Sequence, residues 1–229
     1  MPELKIKDIL IIGGSSGLGL ELAKKYMDLG HRVTVTGRKD PRVIGVTFLL
    51  FDISADANNL PQRIDDLVSG LGPINTLIYS AGYYQEGHID QLSDEDIVAM
   101  VNVGLTAPML LVKKLKKNPG APLKVMFITS SSQYTPRELE PVYTAVKSGL
   151  GMLGNSLGLD AELGKVCVFA PSGMNTPFWK DGRDASQYLD PSWVADQIIE
   201  LSGGPFKYKY AQIIRNPSRV EVIEVRQNK

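Results

Sequence analysis

Short apolar runs alternate with segments of helical spacing along nearly the whole chain, and no other feature of the sequence constrains the fold as strongly. The runs at residues 8–12, 32–36, 46–51, 74–79, 124–129 and 165–170 are rich in β-branched and aromatic residues without strict polar alternation. That is the pattern of strands covered on both faces. Between them the spacing predicts helices over residues 17–29, 57–69, 93–117, 141–163 and 191–201. Ser93-Asp94-Glu95-Asp96 opens one helix with acids in its first turn, and Pro191 after Asp190 opens another. Strand, helix and strand in succession close as right-handed crossovers between parallel strands. The expected architecture is α/β: a doubly wound, Rossmann-like, three-layer α/β/α fold around a parallel sheet of about seven strands. Residues 210–214 supply the seventh strand, and residues 220–225 are available as an eighth. The stretch 37–45 is too short for a crossover helix, so a loop is expected between the second and third strands.

No linker, repeat or low-complexity stretch interrupts the 229 residues, so residues 1–229 are expected to form a single domain around one core. The 25 basic and 25 acidic residues balance, leaving no charge footprint for nucleic acid or an anionic membrane. Met1-Pro2-Glu3-Leu4-Lys5 carries charge rather than a secretory apolar run. No uninterrupted apolar stretch approaches the roughly 18 residues that span a bilayer. The single cysteine, Cys167, lies in an apolar run and reads as a small buried hydrophobe, without an intrachain disulfide. His31 and His88 are far apart, so no histidine metal site is expected, and the chain is assigned to the cytoplasm.

The first strand runs directly into Gly13-Gly14-Ser15-Ser16-Gly17-Leu18-Gly19, which opens a helix whose apolar positions include Leu18, Leu22 and Ala23. Glycines permit positive φ and a close phosphate approach, and a helix N-terminus offers free N–H groups and the positive end of its dipole. Ser15 and Ser16 add hydroxyl donors. This arrangement reads as a dinucleotide site. The second strand ends Thr36-Gly37-Arg38-Lys39: no acid stands at Gly37 for the ribose hydroxyls, whereas the guanidinium of Arg38 suits a 2′-phosphate. NADP(H) is therefore expected in preference to NAD(H).

Tyr143-Thr144-Ala145-Val146-Lys147 puts a phenol and an ammonium four residues apart, on one face of a predicted helix. A phenol titrates near pH 10, and a nearby ammonium favours phenolate, so the pair is expected to make Tyr143 a usable acid/base. Ser130 stands at the end of the strand at 124–129, on the edge where doubly wound sheets bind ligands. Ser131 and Ser132 follow directly, and Ser130 is selected among them by its spacing from Tyr143.

In its Gly13-x3-Gly17-x-Gly19 turn and its Ser130, Tyr143 and Lys147, the chain resembles the short-form members of the short-chain dehydrogenase/reductase family over roughly residues 8–180. The resemblance implies an alcohol–carbonyl oxidoreductase in which Ser130, Tyr143, Lys147 and Asn102 are catalytic. Asn102, within Met100-Val101-Asn102-Val103-Gly104, would anchor a proton-relay water near Lys147. The implied cofactor site comprises Gly13, Ser15, Ser16, Gly17, Leu18, Gly19, Arg38, Asp52, Ile53, Ala81, Gly82, Lys147, Pro171, Met174 and Thr176. Asp52 would meet the adenine, and the Pro171–Thr176 segment, similar to the family's Pro-Gly-x3-Thr, would meet the nicotinamide carboxamide. Three departures affect supports of the cofactor site without removing a chemical group: Ile12 for a threonine, Ser80 within Tyr79-Ser80-Ala81-Gly82, and Ser172 for a glycine. Two other readings share these features. A catalytically idle NAD(P)-sensing protein would keep the fold without turnover, and a sugar-nucleotide epimerase would share Tyr-x3-Lys but space its glycines differently.

The substrate is expected to be a small carbonyl or alcohol of apolar or aromatic character. Tyr83, Tyr84, Gln133, Tyr134, Met174, Phe178, Trp179 and Tyr188 fall on loops that follow strand ends. The helices at 93–117 and 141–163 carry apolar or small residues on more than one face, with Gly149, Gly151, Gly154 and Gly158 along the second. A homodimer or homotetramer is expected on that basis and from the resemblance.

Overall fold

The computed structural model describes residues 6–55, 57–117, 122–179 and 184–228; the N-terminal segment Met1–Lys5 lies outside the described residues. The strands are β1 (Asp8–Ile12), β2 (Arg32–Gly37), β3 (Val46–Leu50), β4 (Thr76–Tyr79), β5 (Lys124–Ile128), β6 (Val166–Pro171), β7 (Tyr208–Ile214) and β8 (Arg219–Arg226). They form one sheet in the order β3-β2-β1-β4-β5-β6-β7-β8. All pairings are parallel except β7 with β8. The order reverses at β1, beside β4, and creates the crevice that doubly wound sheets use for ligands. The expected parallel sheet is thus extended by an antiparallel edge strand, because the four residues between Ile214 and Arg219 allow only a hairpin. The loop expected between β2 and β3 contains no helix.

The helices are α1 (Gly17–Asp28), α2 (Leu60–Ser69), α3 (Asp94–Val101), α4 (Ala107–Leu115), α5 (Pro141–Leu157) and α6 (Pro191–Leu201). Helices α2, α4 and α5 cover one face of the sheet through Leu60, Leu111 and Leu150, and α1 and α6 cover the other through Leu22 and Ile198. Strands β4 and β6 are buried at every residue, which accounts for their uninterrupted apolar sequences. Cys167 is buried and unpaired in β6, and burial pushes its thiol up to about 11.

Two helix expectations are corrected. The helix from Pro141 ends at Leu157, not residue 163, and Gly158 begins a turn held by Leu159 N–H to Ser156 and Asp160 N–H to Leu157. The expected helix at 93–117 contains a π turn at Asn102–Thr106 between α3 and α4. Pro108 is the physical cause: it has no N–H, and its ring crowds the carbonyl four residues back. The turn widens so that the Ala107 N–H bonds Asn102 instead of Val103. Asp94–Leu115 has a mean hydropathy of 1.5 over a membrane-span window, so by length and composition it could cross a bilayer. Met100, Ala107, Leu111, Val112 and Leu115 nevertheless pack into the core.

The glycines along and just after α5 are closely packed within the chain's own fold. A Cβ on Gly151 would lie 2.3 Å from Gln133, one on Gly154 2.4 Å from Val168, and one on Gly158 2.8 Å from Tyr208. They let α5 settle onto its own sheet and the loop after β5.

Candidate active site

The loops following β1, β2, β3, β4, β5 and β6 surround one cavity of about 310 Å³ at the C-terminal edge of the sheet, a volume suited to a small ligand. Its walls include every expected site residue except Gly19 and Asn102. Gly19 acts one layer back, where a Cβ would come 2.2 Å from the carbonyl oxygen of Gly13. Asn102 opens the π turn, which packs on α5 near Tyr143 and Lys147: a Cβ on Gly104 would lie 2.0 Å from Val146.

At the end formed by β1, Gly13 and Gly17 have φ of 83° and 54°, the left-handed region that glycine tolerates. A Cβ on Gly13 would lie 2.6 Å from the Ala81 backbone, so the turn rests directly on the segment after β4. Ser16 caps α1 without a side-chain bond, and no acid occupies the first turn. The leading N–H groups therefore have no helical partner and face the cavity at the positive end of the dipole. Thr176 closes over Gly17, with its Cβ 3.2 Å from where a side chain would begin. Arg38 is exposed and borders a side pocket with Ser15, Ser16 and Lys39. At Gly37 a Cβ would lie 2.2 Å from Ser15 Oγ, so no acidic side chain fits there while the turn keeps this shape. A glycine cradle, an uncapped helix and an adjoining guanidinium fit a phosphorylated dinucleotide. Asp52 lines the same cavity and accepts bonds from Ser54 N at 3.0 Å and Ser54 Oγ at 2.7 Å. Ile53 beside it is buried.

The end beyond β5 holds the titratable groups. Of the three consecutive serines, Ser130 is the one whose side chain acts on the Tyr143 phenol, in the direction that favours its ionisation. Ser131 Oγ accepts from Arg137 at 3.0 Å, and Ser132 Oγ donates to Glu140 at 2.7 Å. Ser130 Oγ also accepts from Ser132 N at 3.1 Å. Lys147 is buried, donates to the Ile128 carbonyl at 3.2 Å, and has Nζ 5.5 Å from the centre of the Tyr143 ring. Burial lowers its ammonium to about 8.

Burial holds Tyr143 far above its ordinary range, the Glu140 charge pushes the same way, and Ser130 and Arg137 only moderate the effect. A dry pocket penalises phenolate, and the ammonium of Lys147 is turned toward a backbone carbonyl. Tyr143 therefore keeps its proton in this pocket.

A wall of rings continues from Tyr143. Tyr84 meets it edge-on at 5.0 Å, Trp179 meets Tyr84 at 5.5 Å, and Tyr188 meets Trp179 at 5.6 Å. Phe178 packs between Tyr143 and Trp179, and Trp179 Nε1 donates to the Met174 carbonyl at 2.8 Å. Gln133 and Tyr134, expected in the pocket, do not line it; Gln133 packs under Gly151, and Tyr134 is exposed. Three charged wall residues carried no sequence signal: Arg137, Glu140 and Arg215. Glu140 sits within the three residues before Tyr143 and accepts from Tyr84 at 3.2 Å. Only the return of the loop after β5 brings it into the site.

Residues 7–187 match the family model of the short chain dehydrogenases. An uncharacterized oxidoreductase of Staphylococcus epidermidis is 25% identical, the alignment covering 98% of each chain. The NADP-dependent (R)-specific alcohol dehydrogenase of Lentilactobacillus kefiri is 23% identical over 82% of this chain and 81% of that protein. Among solved structures, a short chain dehydrogenase of Burkholderia cenocepacia in complex with NADP superposes with a TM-score of 0.73. It is 23% identical, with 86% of this chain and 91% of that chain covered.

Proposed function

Because the chain belongs to the short chain dehydrogenase family, we propose that it interconverts an alcohol and a carbonyl compound with NADP(H) as the hydride carrier. One observation carries this reading: Ser130, Tyr143 and Lys147 share a single cavity with an uncapped helix N-terminus and its glycine cradle. Bound NADPH would supply the hydride; the remaining tasks fall to the chain itself.

Ser130 hydrogen-bonds the substrate oxygen, and Tyr143 transfers its phenolic proton to that oxygen as negative charge develops there. Burial suits Tyr143 to this role, because it keeps the proton on the phenol until the substrate oxygen becomes the stronger base. Lys147 supplies positive charge beneath the phenol once the proton has gone and meets the ribose of the cofactor. Asn102, at the π turn beside α5, holds the water that returns the proton. Gly13, Ser15, Ser16 and Gly17 would hold the pyrophosphate, the Pro171–Thr176 segment would meet the nicotinamide carboxamide, and Arg38 would take the 2′-phosphate that distinguishes NADP from NAD. The ring wall favours an apolar or aromatic substrate body.

The functional unit of this reading is a homodimer or larger assembly. Val98, Val101 and Met109 are exposed along the helices α3 and α4, and Met152 is exposed on α5; a second copy would cover this stripe. The purified protein should oxidise NADPH in the presence of some members of a panel of aromatic and aliphatic aldehydes and ketones. Binding of NADPH with no turnover across the panel would favour the sensing role instead.

A further inference from the structure

The far end of the cavity has a cation that the reaction above does not use. Arg215 follows β7 immediately, lines the cavity, and lays its guanidinium 4.4 Å from the centre of the Tyr188 ring. No carboxylate among the described residues forms an ion pair with it. The other cavity cations are committed or remote. Arg137 faces Glu140 at 3.5 Å, Lys147 donates to Ile128, and Arg38 stands beside the glycine turn.

The sheet fixes the distances involved. In the order β1-β4-β5-β6-β7, Arg215 starts four strands from the glycine turn and two from Ser130. At a strand spacing of about 4.8 Å, those separations are about 19 Å and about 10 Å. Arg215 therefore leaves the sheet nearer to the strand that carries Ser130 than to the strand that carries the glycine turn. Between Tyr143 and Arg215 runs the continuous wall of Tyr84, Trp179 and Tyr188. A planar guanidinium fixed by an aromatic face presents two parallel donors that match a carboxylate.

We propose that Arg215 is a specificity residue that takes the carboxylate of an aromatic or apolar carbonyl acid whose reacting carbonyl lies at Tyr143. The inference rests on the oxidoreductase reading for its reacting end and on Arg215 alone for its anionic end. The acid group is bound and released unchanged, so only the carbonyl is reduced.

The test uses 6-formyl-2-naphthoate and its uncharged methyl ester as paired substrates for the full-length protein with NADPH. The wild type should prefer the carboxylate by about 10-fold or more in kcat/KM, the scale of a charged bidentate contact. Arg215→Ala should bring the two probes within about 2-fold of each other, with ester turnover and NADPH affinity unchanged; Arg215→Lys should restore part of the preference. Equal use of both probes by the wild type would overturn the proposal, as would an Arg215→Ala variant that loses NADPH affinity or loses both probes alike.

A binding arm separates this inference from the reaction. Fluorescence titration of the NADP+-loaded protein with 2-naphthoate and 2-naphthamide reads the anionic end without turnover. Tighter binding of the acid, abolished in Arg215→Ala, would support the site even if neither aldehyde were reduced, a result that would count against the oxidoreductase reading alone. Equal binding of acid and amide would overturn the Arg215 proposal and leave that reading intact.

Discussion

The hydroxyl of Tyr79 donates to the main-chain carbonyl of Val103. Val103 lies in the π turn, where the Ala107 N–H bonds Asn102 and Pro108 has none to give, so its carbonyl lacks a helical partner. The side chain of Tyr79 is fully buried at the end of β4 and satisfies that carbonyl from the sheet. Tyr79→Phe keeps the ring and leaves the carbonyl orphaned, so stability should fall by about 1–3 kcal/mol. Urea unfolding would measure this. An unchanged midpoint would mean that water replaces the hydroxyl.

Lys147 is expected to cost stability where it provides chemistry. Its folded-state value near 8 lies below the 10.5 of a free lysine, and burial is the cause. For a lowered lysine, the unfolded chain holds more protons between pH 8 and 10.5, so this group's penalty is complete below pH 8 and is relieved as pH rises through that window. Lys147→Met should therefore raise stability at pH 7 by about 1–3 kcal/mol while removing carbonyl reduction. Thermal unfolding of both proteins at pH 7 and pH 9 tests the sign. The advantage of the variant should shrink at the higher pH, and a Met variant less stable at pH 7 would contradict the account.

Arg38→Ala should weaken NADPH binding by about 1–3 kcal/mol, the worth of charged hydrogen bonds to a phosphate, and leave NADH nearly unchanged. Fluorescence titration with the two cofactors reads the contrast. A parallel loss for both would take Arg38 out of 2′-phosphate recognition.

The stripe of Val98, Val101 and Met109 should hold a dimer together at micromolar concentration. The double variant Val98→Glu/Met109→Glu should be monomeric, because both exposed side chains would carry like charges into the interface. Light scattering showing a monomeric wild type would dispose of this prediction.

The layered architecture was legible because it depends on local pattern. Unbroken apolar runs such as Val166–Pro171 and the acids after Ser93 announce a buried strand and a helix start without tertiary information. The glycine turn was legible for the same reason, as its residues are consecutive. What escaped depends on contacts between distant segments. The glycines of α5 face Gln133, Val168 and Tyr208, partners that no helical spacing identifies. Pro108 could have signalled the interruption at Asn102, since a helix-interior proline always costs a backbone bond. The surroundings of Tyr143 were not legible, because four-residue spacing shows that Lys147 shares its face but says nothing of burial, the largest influence on both groups. Arg215 had no sequence signature, because the sheet order alone carries it to the cavity.

In the proposed reaction Tyr143 donates the proton to the carbonyl oxygen. The direct measurement compares wild type and Tyr143→Phe in NADPH oxidation on one carbonyl substrate, with NADPH affinity measured on the same samples. The variant removes one hydroxyl and little volume, so the fold and the cofactor cradle should persist. Turnover should fall by about 10²–10⁴ or more, the range for losing a general acid, while NADPH affinity changes by less than about 1 kcal/mol. Undiminished turnover in Tyr143→Phe would contradict the account, because the substrate oxygen would then be taking its proton from another group.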